Sequence, residues 1–172
     1  MTKTWLDPTE WSRIQQTIPI ACVDILPLKL HPPTTPTTPQ IGLILRNTPE
    51  NKKAWCLVGG RMFRDESIAQ SITRQLHQTL GQNIRFPLDP DPQPLYVAQY
   101  FPTPRPPHEV GGIDLRQHSV ALTFAIPIEG QPVAQDEALN FQWFSPATLP
   151  APTDFGFNQD RVVAACLAKL RL

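Results

Sequence analysis

The chain has 172 residues, enough for one domain with a sizeable core. Lys plus Arg and Asp plus Glu number 15 each, so the formal net charge is zero, which argues against the basic surface that nucleic-acid binding needs but not against a small anion held by a few arginines. No apolar run approaches the roughly 18–20 residues of a membrane span, and the N-terminal MTKTWLDPTEW lacks the apolar centre of a signal peptide.

Asp7-Pro8-Thr9-Glu10 reads as a helix start, with a capping Asp, Pro at the first position and an acid in the first turn. This helix should end near Gln16. IACVDILPLKL (20–30), IGLILR (41–46) and AWCLV (54–58) read as strands, the first two joined by a Thr/Pro loop. Ser67 to Leu80 is the clearest helix, because Ile68, Ile72, Leu76 and Leu80 recur every four residues; Gly81 follows as a left-handed cap. PLYVAQYFP (94–102), QHSVALTFAIPIE (117–129) and NFQWFS (140–145) read as strands. Ser145-Pro146-Ala147 opens a helical turn, and Asn158 to Leu170 is a terminal helix. A mixed sheet with helices on both faces is expected, in a single domain over 1–172.

The 21 prolines cluster in HPPTTPTTPQ, PLDPDPQP and PTPRPP. Proline fixes φ and lacks a donor, so these are connectors or loops. The third runs on into HEVGGIDLRQ as a long candidate binding loop. Cys22, Cys56 and Cys166 are widely spaced among apolar residues, which points to buried free thiols in a reducing cytoplasm and not to a zinc site.

The chemistry concentrates in WCLVGGRMFRDESIAQSITRQLHQTLG. Gly59-Gly60 between a strand and a helix allows close backbone approach and unusual φ. Arg61 and Arg64 follow, and guanidinium matches phosphate oxygens in a bidentate way, so a diphosphate cradle is one reading and solvated arginines the other.

Gly60, five residues, Glu66, seven residues, Arg74, then Gly81 follows the skeleton of the Nudix box, G-x5-E-x7-R-E-U-x-E-E-x-G. On these residues the chain resembles the Nudix hydrolase family. It is similar in particular to GDP-mannose mannosyl hydrolases, through TIPIACVDIL, WCLVGGRMFRDES and FQWFSPATLP in matching order, and to a Nudix-like group with the same VGGR and DPDPQP segments. The resemblance implies an α/β/α sandwich around a mixed β-sheet, with Glu66 and Arg74 as a structural pair and Gly59 and Gly60 as box glycines. It implies that Asp24, Arg46 and Arg61 bind the substrate, a nucleoside diphosphate derivative and in particular a nucleotide sugar.

The family's metal-binding glutamates fall at Gln75, Gln78 and Thr79, three polar residues on one helical face. The box is degenerate, and Mg2+ or Mn2+ should bind weakly. The resemblance leaves Glu137 and the backbone at Gly59 as metal ligands, and Glu137 and His118 as catalytic candidates; the family's general base falls at Ala138. Tyr100 and Phe101 could stack on a base or belong to the core. The family habit of homodimers extends to this chain as an expectation. Two readings follow: a hydrolase of altered metal use, or a module of the same fold that binds a nucleotide or a protein without turnover.

Overall fold

A computed structural model describes residues 6–30, 39–50, 52–105 and 111–172. Most of the Thr/Pro loop (31–38) and the 106–110 stretch of the long loop lie outside the described residues.

The chain opens with α1 (Pro8–Thr17), where Asp7 Oδ1 accepts from Thr9 N and Pro8 starts the first turn. Then follow β1 (Ile20–Lys29), β2 (Gln40–Asn47), β3 (Lys53–Cys56) and β4 (Val58–Arg61). Next come α2 (Ile68–Leu80), β5 (Ile84–Arg85), β6 (Tyr96–Phe101), β7 (Gly112–Ile113), β8 (Ser119–Pro127), β9 (Glu129–Gly130) and β10 (Asn140–Phe144). Three short 3-10 turns lead into α3 (Asp160–Leu170).

The main sheet has the order β10-β2-β1-β8-β6-β7, with β3 on β2 and β4 on β1. It is mixed: β1 runs parallel to β8 and antiparallel to β4. β1 is buried almost end to end, as a strand covered on both faces must be. Alternation sends Val23 and Ile25 to one face, where Ile72, Leu76 and Leu80 of α2 pack. Cys22, Leu26 and Leu28 face the other way, against Val162, Val163 and Cys166 of α3 and Trp11 and Ile14 of α1. This is the α/β/α sandwich. By the same alternation Asp24 points to the α1/α3 face, and the site lies there.

The expected helix over 67–80 is α2, and its row at every fourth residue is the buried one. Ser67 and Gln70 close a capping box, and Gly81 caps the end at φ 85, in the region that favours glycine. Of the two uses expected for the glycine pair, the structure shows the close backbone approach and not the unusual φ. Gly59 and Gly60 do not form a turn; both are strand residues of β4, paired with Asp24 and Val23, and neither has positive φ. What requires glycine is close packing. A Cβ on Gly59 would meet the Val23 carbonyl and lie 2.7 Å from Asp24 Oδ1, and one on Gly60 would lie 2.8 Å from Gln75 Nε2. The three cysteines are buried and free. Among the described residues no helix is long and apolar enough to cross a membrane.

Candidate functional site

A cavity of about 540 Å3 opens on the α1/α3 face of the sheet. β1 supplies Asp24, β2 Arg46, and β4 Gly59, Gly60 and Arg61; the turn before β10 supplies Glu137. Tyr100 of β6, Trp11 and Gln15 of α1, and Asp114 and Arg116 after β7 complete much of the wall.

Asp24 sits at the floor. Tyr100 Oη donates to its Oδ2 at 2.7 Å, Gln159 Nε2 donates to Tyr100 Oη at 3.1 Å, and Gln159 Oε1 accepts from Leu57 N at 2.8 Å. The start of α3 thus holds the orientation of a carboxylate on the central strand. Burial pushes the Asp24 carboxyl up to about 6, against the downward pull of the Tyr100 hydrogen bond and the Arg46 charge. The Cys22 thiol on the same wall is pushed up to about 12 by burial and by Asp24 and stays protonated, so it is no nucleophile.

Arg46 and Glu137 form an ion pair, Arg46 NH2 to Glu137 Oε2 at 2.8 Å. Two atoms of this pair are buried without partners: Arg46 Nε, a donor, and Glu137 Oε1, an acceptor. Unmade hydrogen bonds of this kind cost about 1–3 kcal/mol each, which a ligand or water at this wall recovers. Burial raises the Glu137 carboxyl above the usual carboxylate range, with Arg46 opposing it. Arg61 lines the same cavity with its guanidinium 4.2 Å from the centre of the Trp11 ring.

Asp24, Arg46, Arg61, Glu137 and both glycines therefore share one cavity. His118 does not join them. It immediately precedes β8, and alternation turns Gln117 and Ser119 inward, where Gln117 donates to Ser119 Oγ and accepts from Gln15 Nε2. His118 stacks on Phe101 at 4.7 Å in an adjoining, smaller depression that shares Gln15, Arg116 and Gln117 with the cavity wall. Of the two readings for these aromatics, Tyr100 takes the core one, 4% exposed with its hydroxyl committed to Asp24, and Phe101 stacks on His118. Tyr100 as an anchor, Gln159, Arg116 and Phe157 carried no sequence signal, since their partners lie far along the chain or they sit in irregular turns.

Glu66 and Arg74 meet in a two-pronged pair, Nε to Oε1 at 2.6 Å and NH2 to Oε2 at 2.8 Å. The helix positions that carry Gln75, Gln78 and Thr79 stand apart from the cavity wall. Gln75 packs on Gly60, Gln78 accepts from Arg74, and Thr79 is buried.

These residues do not fit a dedicated magnesium or manganese centre. Such ions take several oxygen ligands, carboxylates foremost. Among the described residues no three or more His, Cys, Asp or Glu side chains converge to hold one. In the cavity Asp24 accepts from Tyr100, Asp114 from Arg116, and Glu137 keeps only the buried Oε1 without a partner. Gly59, expected to lend its carbonyl, lies within the β1–β4 ladder. The guanidinium groups of Arg46, Arg61 and Arg116 in the same space repel a dication.

The buried Asp24 gives a stability prediction. Its folded pKa lies above the ordinary 3.8, so between pH 3.8 and 6 the folded state holds more protons than the unfolded one. Stability from this group is therefore present at low pH and lost as pH rises through about 6, by roughly 3 kcal/mol. Asp24→Asn should be more stable than the wild type in urea at pH 7.5, and this advantage should vanish near pH 4. An equal difference at both pH values would remove the buried charge as its cause.

A family model described as "Domain of unknown function (DUF4916)" matches residues 1–171. No curated protein sequence matches the chain. Among solved structures, one from Jonesia denitrificans described as "posible asymmetric diadenosine tetraphosphate (Ap(4)A) hydrolases" is 28% identical, with a TM-score of 0.77 over 89% of this chain and 95% of the other. A MutT/nudix family protein from Enterococcus faecalis is 16% identical, with a TM-score of 0.60 over 98% of this chain and 76% of that one. The Nudix domain of Shewanella oneidensis NrtR, crystallised with ADP ribose, is 16% identical, with a TM-score of 0.58 over 96% and 94%. The fold is that of the Nudix superfamily.

Proposed function

The chain belongs to the DUF4916 family and carries the Nudix fold, and from that premise we propose that its cavity binds a nucleoside diphosphate-linked molecule, a nucleotide sugar foremost, and hydrolyses it with little dependence on a divalent metal. The observation that carries this reading is Glu137: a cavity carboxylate fixed by Arg46, with Oε1 unpartnered. Arg46 and Arg61 are the cations that hold the diphosphate. Asp24, anchored by Tyr100, accepts from a ligand hydroxyl or ring N–H.

In the reaction Glu137 Oε1 takes a proton from a water molecule. The water oxygen bonds to the electrophilic atom, and the bond to the leaving group breaks with its electron pair on the departing oxygen. Attack at the glycosyl carbon suits this site better than attack at phosphorus, because an oxocarbenium-like transition state needs less metal help with the nucleophile. The degenerate box points the same way, since Gln75, Gln78 and Thr79 bring no charge for a metal.

A second reading, a nucleotide-binding module without turnover, is favoured by one observation: those three side chains are absorbed in packing and in bonds to the box itself. One experiment separates the two. Nucleotide sugars and dinucleotides are screened by thermal shift, with phosphate and free-sugar release measured on each hit in excess magnesium and in chelator. The hydrolase reading expects a hit that turns over in both conditions. A hit without product leaves the binding module, turnover lost in chelator removes the metal-independent mechanism, and no hit removes the nucleotide ligand.

A further inference from the structure

Arg116 belongs to no motif in this chain, yet the structure builds a mount for it. It follows β7 in the turn leading to β8. Its Nε donates to Asp114 Oδ1 and its NH2 to Asp114 Oδ2, both at 2.9 Å, and its backbone N–H donates to Oδ1 at 3.1 Å. Asp114 is itself buried and tied to β6, its N–H donating to the Phe101 carbonyl at 3.0 Å. The Arg116 side chain is 47% exposed, unlike its partner at 7%, and it lines the cavity. A guanidinium has five N–H donors, so most of them remain for a ligand after Asp114 is served.

The second part of the mount is Phe157. Its ring lies 5.6 Å from the Arg116 guanidinium and 5.9 Å from that of Arg46, so one ring contacts both cations. Phe157 holds φ 58 and ψ 16, a left-handed conformation costly for a bulky residue, and Gly112 lets its carbonyl approach β7 closely. Such a backbone persists only where its surroundings hold it. Both arginines also act on Glu137, drawing its carboxyl down against burial.

We infer that Arg116 is a third anion-holding residue of this cavity, sharing the Phe157 ring with Arg46, and that the ligand carries two anionic groups bridging Arg46 and Arg116. Phe157 is a positioning residue for the pair. The inference rests on the nucleoside diphosphate reading above and deepens it: the diphosphate spans Arg46 and Arg116 and does not sit on Arg46 and Arg61 alone.

The test uses inorganic pyrophosphate and inorganic phosphate as probes, with affinities from isothermal titration calorimetry on the full chain. The wild type should bind pyrophosphate at least about tenfold more tightly than phosphate. Arg116→Gln should weaken pyrophosphate by about 10–100-fold, the loss of a charge-assisted contact, and leave phosphate nearly unchanged. Arg116→Lys, which keeps the charge without the fork, should fall between. Phe157→Leu should weaken pyrophosphate more than phosphate; an equal effect on both would make its role structural and overturn its part in the assignment. Unfolding midpoints of all variants report whether a loss is one of folding. Pyrophosphate binding to Arg116→Gln at wild-type affinity overturns the assignment and leaves the nucleotide reading standing. A wild type that binds neither probe nor any nucleoside diphosphate overturns both.

Discussion

Glu137→Gln should bind the ligand and fail to turn it over. The substitution keeps the shape of the side chain and an acceptor for Arg46 NH2, which the carboxylate now meets at 2.8 Å. It removes the basicity of Oε1, the buried atom of this cavity-lining residue that has no partner. Loss of a positioned general base lowers the rate by about 10²–10⁴-fold. Binding should hold or tighten, because a negative charge facing the phosphates is gone. The pH–rate profile adds an independent check. A base works ionised, so activity rises with pH through the pKa of its carboxyl, and burial places that acid limb above the usual carboxylate range. Residual activity in the amide variant should show no such limb. Retention of wild-type kcat in Glu137→Gln would take the base out of this residue's hands.

Arg74→Met should be the most damaging single change to stability near the site. Arg74 makes the two-pronged pair with Glu66, donates to the Arg61 carbonyl at 3.0 Å and to Gln78 Oε1 at 3.3 Å, and stacks on Phe63 at 4.0 Å. Both charged side chains are mostly buried, at 17% and 12% exposure. Glu66 Oε2 also accepts from Phe63 N at 2.9 Å, so the pair ties the 61–66 loop to α2. Methionine fills the volume and leaves Glu66 ionised without its partner. Breaking a buried pair from one side costs about 3–5 kcal/mol, whereas an exposed pair is worth at most about 1. Urea unfolding reads the difference. A second change, Glu66→Gln, made in the Arg74→Met background should recover part of the loss, since the stranded charge is then removed. A cost below about 1 kcal/mol would mean that the loop is held by other contacts. Arg61 begins this loop, so the same variant should also weaken ligand binding.

The difference between these two residues is instructive about what could be read in advance. Glu66 precedes the cap of α2 and Arg74 lies two turns into it, so helical spacing alone does not join them; the family resemblance implied their pairing, and the structure brings them together. Local sequence was enough for α2, whose apolar residues recur at the helical period, and for α1, whose start is written in Asp7 and Pro8. Asp24, Arg46 and Glu137 are distant in sequence, and no local rule joins them; the family resemblance placed them together, and the cavity contains all three.

Where expectation and structure part, the deciding contact was tertiary. Gly59 and Gly60 allowed either an unusual φ or a close approach, and only the packed fold decided for the latter, a strand pressed against Asp24 and Gln75. His118 and Gln117 are neighbours, and which of them enters the cavity depended on the register of β8 against β1: pairing Ser119 with Ile20 sends Gln117 in and His118 out. A slip of one residue would have exchanged them. Tyr100 and Gln159 reach Asp24 and Leu57 across 76 and 102 residues, and Arg116 and Phe157 sit in turns without period. Local periodicity therefore determined the helices and the main strands, because these depend on residues a few positions apart, and the family resemblance supplied the Glu66–Arg74 latch. The anchoring of Asp24, the exclusion of His118 and the approach of Arg46 and Arg116 to one Phe157 ring were decided only when the sheet closed, because hydrogen bonds and burial between distant segments have no energy until the fold brings them within reach.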